Sequence, residues 1–175
     1  MNTYSLWMLS TWLASGGVWA ADFLVEVQVQ VERGCLLVHR AREAGAQALG
    51  RIDLGRAARL DGAMAPLTGT LFSQRPPRLE CNPDTPFQMR VDGGRHGGVG
   101  EVRFLASGDP RAKPIAYRLY RDAAWRQPLA VDVPLDGRTP DSGTVELPLY
   151  ARLDPVAEVP RAGLYADLLN VTLTW

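Results

Sequence analysis

The amino-acid sequence predicts an all-β chain folded as an antiparallel β-sandwich, on three observations. Gly (17) and Pro (13) supply 30 of 175 residues, and they fall as punctuation between short apolar runs. Two runs, 23–31 near the start and 168–175 at the end, alternate apolar and polar residues with the period of a strand. Only 40–47 reads as able to hold a helical turn. Apolar residues make up 46% of the chain, which suits one globular domain rather than a disordered one. Lys+Arg and Asp+Glu stand at 19 each, without the basic excess that a nucleic-acid partner demands.

Residues 1–20 carry no charged side chain. An apolar stretch from Leu6 to Ala14 is followed by Gly16, Gly17 and then Val18-Trp19-Ala20, small or aliphatic residues where a signal peptidase reads. We read 1–20 as a signal peptide cut after Ala20, with Ala21 as the alternative, although no Lys or Arg precedes the apolar run. A bilayer span needs about 20 apolar residues, and Ser10, Thr11 and Ser15 interrupt this one. Cleavage leaves 175 − 20 = 155 residues. Export to an oxidising compartment predicts that Cys35 pairs with Cys81. His39 and His96 are the only histidines, and no metal-ligand spacing joins them to the cysteines.

The first strand is expected over 23–31, with Phe23, Val25, Val27, Val29 and Val31 on the face to be buried and Glu26, Gln28 and Gln30 on the other. Further strands are expected at 50–54, 69–72, 86–91, 100–105, 114–120, 144–152 and 163–175. Breakers separate them: Arg75-Pro76-Pro77, Asn82-Pro83-Asp84, Asp92-Gly93-Gly94, Gly97-Gly98, Asp109-Pro110 and Thr139-Pro140. In the last strand Leu169, Val171, Leu173 and Trp175 share one face, while Leu168, Asn170, Thr172 and Thr174 share the other. A strand at the end of a chain has either a covered outer edge or an open one.

No catalytic constellation stands out. There is no Gly-x-Ser-x-Gly elbow, His-Glu-x-x-His, Walker loop or dinucleotide fingerprint. Gly93-Gly94-Arg95-His96-Gly97-Gly98 follows a strand but opens no helix, so it reads as a hairpin rather than a phosphate cradle. Asp132 and Asp136 sit in Pro/Gly-rich sequence and read as turn residues. Asn170-Val171-Thr172 has the form of a glycosylation sequon and is equally well explained as strand alternation. These absences point away from an enzyme, and no cofactor or metal is expected.

Several landmarks together resemble a known family. They are the strand leading into Cys35, then Ile52-Asp53-Leu54-Gly55, Cys81-Asn82-Pro83-Asp84-Thr85-Pro86-Phe87, Ile115-Ala116-Tyr117-Arg118-Leu119-Tyr120-Arg121-Asp122 and Leu149-Tyr150-Ala151-Arg152. The close is Val159-Pro160-Arg161-Ala162-Gly163-Leu164-Tyr165-Ala166-Asp167, then Val171-Thr172-Leu173-Thr174-Trp175. In order and spacing this is similar to the subunits of archaic chaperone–usher pili, also described as spore coat protein U-like domains. Leu54, Asn82-Pro83-Asp84, Ala151, Arg161 and Trp175 depart from the usual pattern and suggest a divergent or minor subunit.

The resemblance implies an incomplete immunoglobulin-like β-sandwich completed by a donor strand from another subunit. It implies a donor strand at 21–33, with Phe23, Val25, Val27, Val29 and Val31 filling the neighbour's groove, and a domain at 34–175 whose acceptor groove is lined by Leu169, Val171, Leu173 and Trp175. The partners it implies are neighbouring pilin subunits, a periplasmic pilus chaperone and an outer-membrane usher. Location would be the cell surface, reached through the periplasm, and the role adhesion and biofilm formation. Three rivals stand beside it. One is a self-contained secreted β-sandwich that binds carbohydrate through Trp125, Tyr117 and Tyr120, or a spore or envelope coat protein. The others are an adhesive tip subunit, for which 155 residues leave no second domain, and an exported enzyme.

Overall fold

The computed structural model describes residues 27–38, 49–62, 65–72 and 78–175. The expectations for the signal peptide (1–20), for Phe23 and Val25, for His39 and for a helical turn at 40–47 lie outside the described residues. The chain divides into two compact units, Met1–Val31 and Glu32–Trp175. In the first, residues 27–31 form no strand, and Val27, Val29 and Val31 are exposed. The strand expected over 23–31 is therefore absent from its described part. Alternation specifies the face a partner must cover, but one run alone holds no ladder.

The second unit is all-β, with no helix among the described residues. Its strands are β1 Cys35–Val38, β2 Arg51–Ile52, β3 Leu67–Phe72, β4 Arg78–Cys81, β5 Pro86–Val91, β6 Gly98–Val99, β7 Val102–Ser107, β8 Ile115–Tyr120, β9 Leu135–Arg138, β10 Thr144–Val145, β11 Tyr150–Leu153, β12 Tyr165–Ala166 and β13 Val171–Thr174. All the ladders between them are antiparallel. One sheet runs β12-β7-β8-β11-β3-β2, with β6 also on β7; a second runs β13-β5-β9, and a third β1-β4-β10.

The second and third sheets are one ladder with a break. Leu79 faces Val145 and Glu80 faces Thr144; beyond the break Pro86 faces Arg138 and Met89 faces Leu135. The residue numbers of every pair have the same sum, so the register passes through unchanged. Hydrogen bonds bridge the break from Cys81 N to Gly143 O (2.8 Å), Thr139 N to Thr85 O (3.0 Å) and Asp84 N to Thr139 O (3.0 Å). Thr85 and Thr139 are buried there, and the Thr139 hydroxyl donates to Thr85 O at 3.1 Å.

The core lies between the two layers. Met89 and Val91 of β5, with Leu135, Val171 and Leu173, meet Ile115, Tyr117 and Leu119 of β8, with Ala151 and Leu153 of β11. Period-two alternation puts each of these on the inner face. The disulfide Cys35–Cys81 joins β1 to β4 at a directly opposed pair.

Several expected strands need correction. The run 144–152 divides into β10 and β11, because Pro148 has no N–H for a ladder. The run 163–175 divides into β12 and β13 at residues 167–170, which are tied to other loops as described below. β1 starts at Cys35 rather than leading into it. Gly100, expected in a strand, turns the β6–β7 hairpin with φ +61, and strands β4, β6 and β9 went unanticipated. Asp136, read as a turn residue, lies in β9 and accepts from the Gln88 side chain at 2.8 Å; Asp132 is in a turn, with φ 57.

Candidate functional site: the open edge of the last strand

Among the described residues five strands form the edges of the two main sheets, and four of them are blunted. β2, β12 and β6, which pairs only to β7, are two residues long. β9 carries Asp136 and Arg138 between Pro134 and Pro140. Short strands, charges and prolines are the means by which proteins discourage strand addition. β13 has none of them: Val171-Thr172-Leu173-Thr174 is uncharged, free of proline and, among the described residues, paired on one side only, to β5.

Of the expected groove residues, Leu169, Val171 and Leu173 are half-buried and pack against the core. Trp175 does not share their burial. It is 56% exposed and lines, with Phe87, Gly137 and Arg138, a groove of about 610 Å³ at the end of β13. Phe87 lies over Gly137, its cross-strand partner, where a Cβ would fall 2.4 Å from the Phe87 ring.

β1 and β13 occupy the same side of the β4–β5 strand, one after the other. Cys35 faces Cys81, and Gly34 exchanges hydrogen bonds with Asn82, as Asn82 N donates to Gly34 O (3.1 Å) and Gly34 N to Asn82 Oδ1 (3.0 Å). Farther along, Thr174 faces Gln88 and Val171 faces Val91. Both strands run antiparallel to β4–β5 and therefore in the same direction. A strand continued upstream from Gly34 along this lane would reach the Trp175 position five residues on.

The start of β13 is clasped to the end of β5. Asp92 Oδ1 accepts from Asn170 N and Gly94 N, both at 3.0 Å, and Oδ2 accepts from Asn170 Nδ2 at 2.7 Å. Asp92 N donates to Asn170 O (3.1 Å), and Arg95 N to Leu168 O (3.0 Å). The sequon asparagine is thus held by a carboxylate. Burial raises the Asp92 pKa, but the hydrogen bonds from Asn170 and Gly94 outweigh it and leave the carboxyl below its ordinary value. Gly94 has φ +77, and a Cβ there would fall 2.0 Å from Asp167 Oδ2. Tyr117 donates its hydroxyl to that same oxygen at 2.8 Å; burial, then this hydrogen bond and the carboxylate charge, push the phenol far up.

The clasp makes a pH prediction. A carboxylate whose pKa is depressed by folding stabilises the fold above its unfolded pKa, near 3.9, and that contribution disappears as pH falls through the lower folded value. Between about pH 5 and pH 2 the melting temperature should fall more steeply for the native chain than for Asp92→Asn. Equal acid slopes would show that Asp92 does not clasp β13.

Beneath the clasp lies Arg103, 0% exposed on the inner face of β7. It donates from Nε to Asp92 O (2.8 Å), from Nη1 to Leu129 O (2.8 Å), and from Nη2 to Val91 O (3.1 Å) and Ala130 O (3.5 Å). Burial lowers its pKa, and Tyr117, Asp92, Asp132 and Asp167 counteract that shift.

A family model described as Spore Coat Protein U domain matches residues 21–172. The chain belongs to the Spore Coat Protein U domain family. This family is associated with pilus- or fimbria-like proteins of the cell surface. No curated protein matches the chain.

In this Spore Coat Protein U domain the aromatic trio differs from the expected one. Trp125 packs edge-on against Tyr120 (5.6 Å between centroids) and Tyr150 (6.1 Å), while Tyr117 points into the core toward Asp167. Trp125 holds the left-handed φ of 59° in a turn whose Asp122 carboxylate accepts from Gln127 N at 2.8 Å. His96 is exposed in the β5–β6 loop. Among the described residues no group of His, Cys, Asp or Glu has metal-site geometry, and no helix is long and apolar enough to cross a membrane. The sequence reading missed the Arg103 and Asp92 contacts. Its available signal was an arginine in an otherwise apolar strand, Val102-Arg103-Phe104-Leu105.

Proposed function

We propose that the chain is a structural subunit of an archaic chaperone–usher pilus that polymerises by strand donation. Residues 21–31 of one copy add to the β13 edge of the preceding one, and Phe23, Val25, Val27, Val29 and Val31 fill the groove beside Leu169, Val171 and Leu173. The observation that carries this reading is β13, which among the described residues is uncharged, free of proline and paired on one side only, while the other edges of the two main sheets are blunted; β1, the similar edge of the third sheet, is the strand that the donated segment leads into. The lane geometry supports it. The position that an upstream continuation of β1 would take is occupied by β13, so an alternating segment there needs another edge.

Each donated side chain contributes about 1.5–3 kcal/mol of burial, before ordering costs. Antiparallel addition continues the pattern of every ladder in the domain. A head-to-tail contact of this kind does not close and builds a filament. On this reading the chain is exported through the periplasm, with a pilus chaperone and an outer-membrane usher as assembly partners, and serves surface adhesion and biofilm formation. It carries no cofactor and catalyses no reaction.

The test is the melting transition of the chain from residue 21, made in an oxidising compartment without a chaperone, with and without a peptide of residues 21–33. Peptide at a hundredfold excess over its Kd stabilises by about 2.7 kcal/mol, a rise of roughly 5–10 °C. A monomer that melts high and ignores the peptide would sink the proposal.

A further inference from the structure

We infer that the end of the sandwich where β13 begins makes a second contact between successive subunits, in which Val99, Val133 and Leu168 dock against the Asn82-Pro83-Asp84 turn of the next copy. The inference rests on strand donation as proposed above.

Val99, Val133 and Leu168 are 81, 57 and 60% exposed. They lie at one end of the domain. Val131 N donates to Gly100 O at 2.7 Å, next to Val99 and two residues before Val133. A Cβ on Gly98 would lie 3.0 Å from the Val131 side chain, and one on Gly93 would lie 3.3 Å from it. Arg95 N, two residues beyond Gly93, holds Leu168 O at 3.0 Å. Asp132 N donates to Val91 O at 3.0 Å, which fixes this as the end where β5 finishes. A single exposed aliphatic residue is ordinary, but three gathered on one end mark a contact surface.

The length and direction of the chain select the occupant. β13 starts opposite Val91 and runs toward Gln88, so an antiparallel donor runs the other way and leaves the groove at the Val91 end. Only Glu32, Arg33 and Gly34 then separate Val31 from the Cys35 that opens the next copy's β1. Those four steps span at most about 14 Å. In that next copy Gly34 is bonded to Asn82 and Cys35 to Cys81, so its nearest surface is the Asn82-Pro83-Asp84 turn. Two opposed layers of side chains fill such a gap, given the ~10 Å at which protein layers pack. Pro83 supplies an apolar partner, and Asp84 is already neutralised by Arg138 at 2.9 Å. The contact turns a three-residue hinge into a fixed angle between subunits.

The experiment compares polymers of the full-length chain with those of a Val99→Glu/Val133→Glu variant and, on the facing surface, of Pro83→Glu. Two readouts are taken: the heat-resistant ladder on a denaturing gel, and the spread of bend angles between successive subunits in electron micrographs. Both variants should keep the ladder and at least double the angular spread. Unchanged bending in both variants overturns the contact and leaves strand donation standing. A variant that loses the ladder overturns it as a contact separate from the groove. A native chain that gives no ladder overturns strand donation and this contact with it.

Discussion

Replacing Arg103 with Met should lower the stability of the domain by roughly 3–5 kcal/mol, although the two side chains are similar in length. The guanidinium satisfies carbonyls on both sides of the core end, Val91 at the end of β5 with Asp92 just after it, and Leu129 and Ala130 in the segment before β9. Hydrogen bonds to a charged donor contribute about 1.5–3 kcal/mol each, and a buried acceptor left without a partner costs about 1–3 kcal/mol. Val91 O keeps its bond from Asp132 N, so the main loss falls on Leu129 and Asp92. For a domain of this size the melting temperature should drop by about 10 °C or more. Arg103→Lys should fall between the two, because one ammonium replaces a planar fork. The loss should also weaken the donor peptide's effect, since the Asp92 carbonyl that Arg103 holds belongs to the residue clasping Asn170. A Met variant within about 1 kcal/mol of the native chain would show that water satisfies these carbonyls.

Removing the disulfide should have an effect of similar size by a different route. Cys35 and Cys81 are 46 residues apart, and closing a loop of that length stabilises by about 4 kcal/mol on the chain-entropy model. The Cys35→Ser/Cys81→Ser variant should therefore melt roughly 10 °C lower, with unfolding measured by circular dichroism. The bond also fixes β1 in its lane at the point where Gly34 meets Asn82. Reductant should lower the native chain's melting temperature and leave the double variant's unchanged. A native chain indifferent to reductant would mean that the bond contributes nothing to the fold.

The parts of this molecule legible in the sequence are those set by local period. Leu169, Val171 and Leu173 alternate, and they face the core; Pro86–Val91 and Ile115–Tyr120 were expected nearly to the residue. The Cys35–Cys81 pair followed from a prediction about compartment, with no geometry needed. The sequence was silent where long-range contacts decide. β9 reads Leu-Asp-Gly-Arg, with no apolar run, and becomes a strand because β5 offers it a ladder and Phe87 covers Gly137. The break before β13 comes from Asp92, 78 residues away from Asn170. Arg103 answers to main-chain carbonyls, which every residue carries, so nothing in the sequence could name its partners. Trp175 shares the alternation of its strand but not its burial, because the strand ends at Thr174 and the core does not extend beneath it.

The register carried unbroken from β4–β5 to β9–β10 restricts which changes of length the domain can accept. One residue added to the crossing between Cys81 and Pro86 would turn Leu79 and Met89 to opposite faces of their sheet, and both are core side chains. A matching insertion between Arg138 and Thr144 would be needed to restore the pairing of Leu79 with Val145. Lengthening the loop at 108–114 disturbs no such pairing, whereas the loop at 92–97 is held by the Asp92 clasp. Variation in length among chains with this fold should therefore gather at 108–114, and in the two crossings it should come in matched pairs.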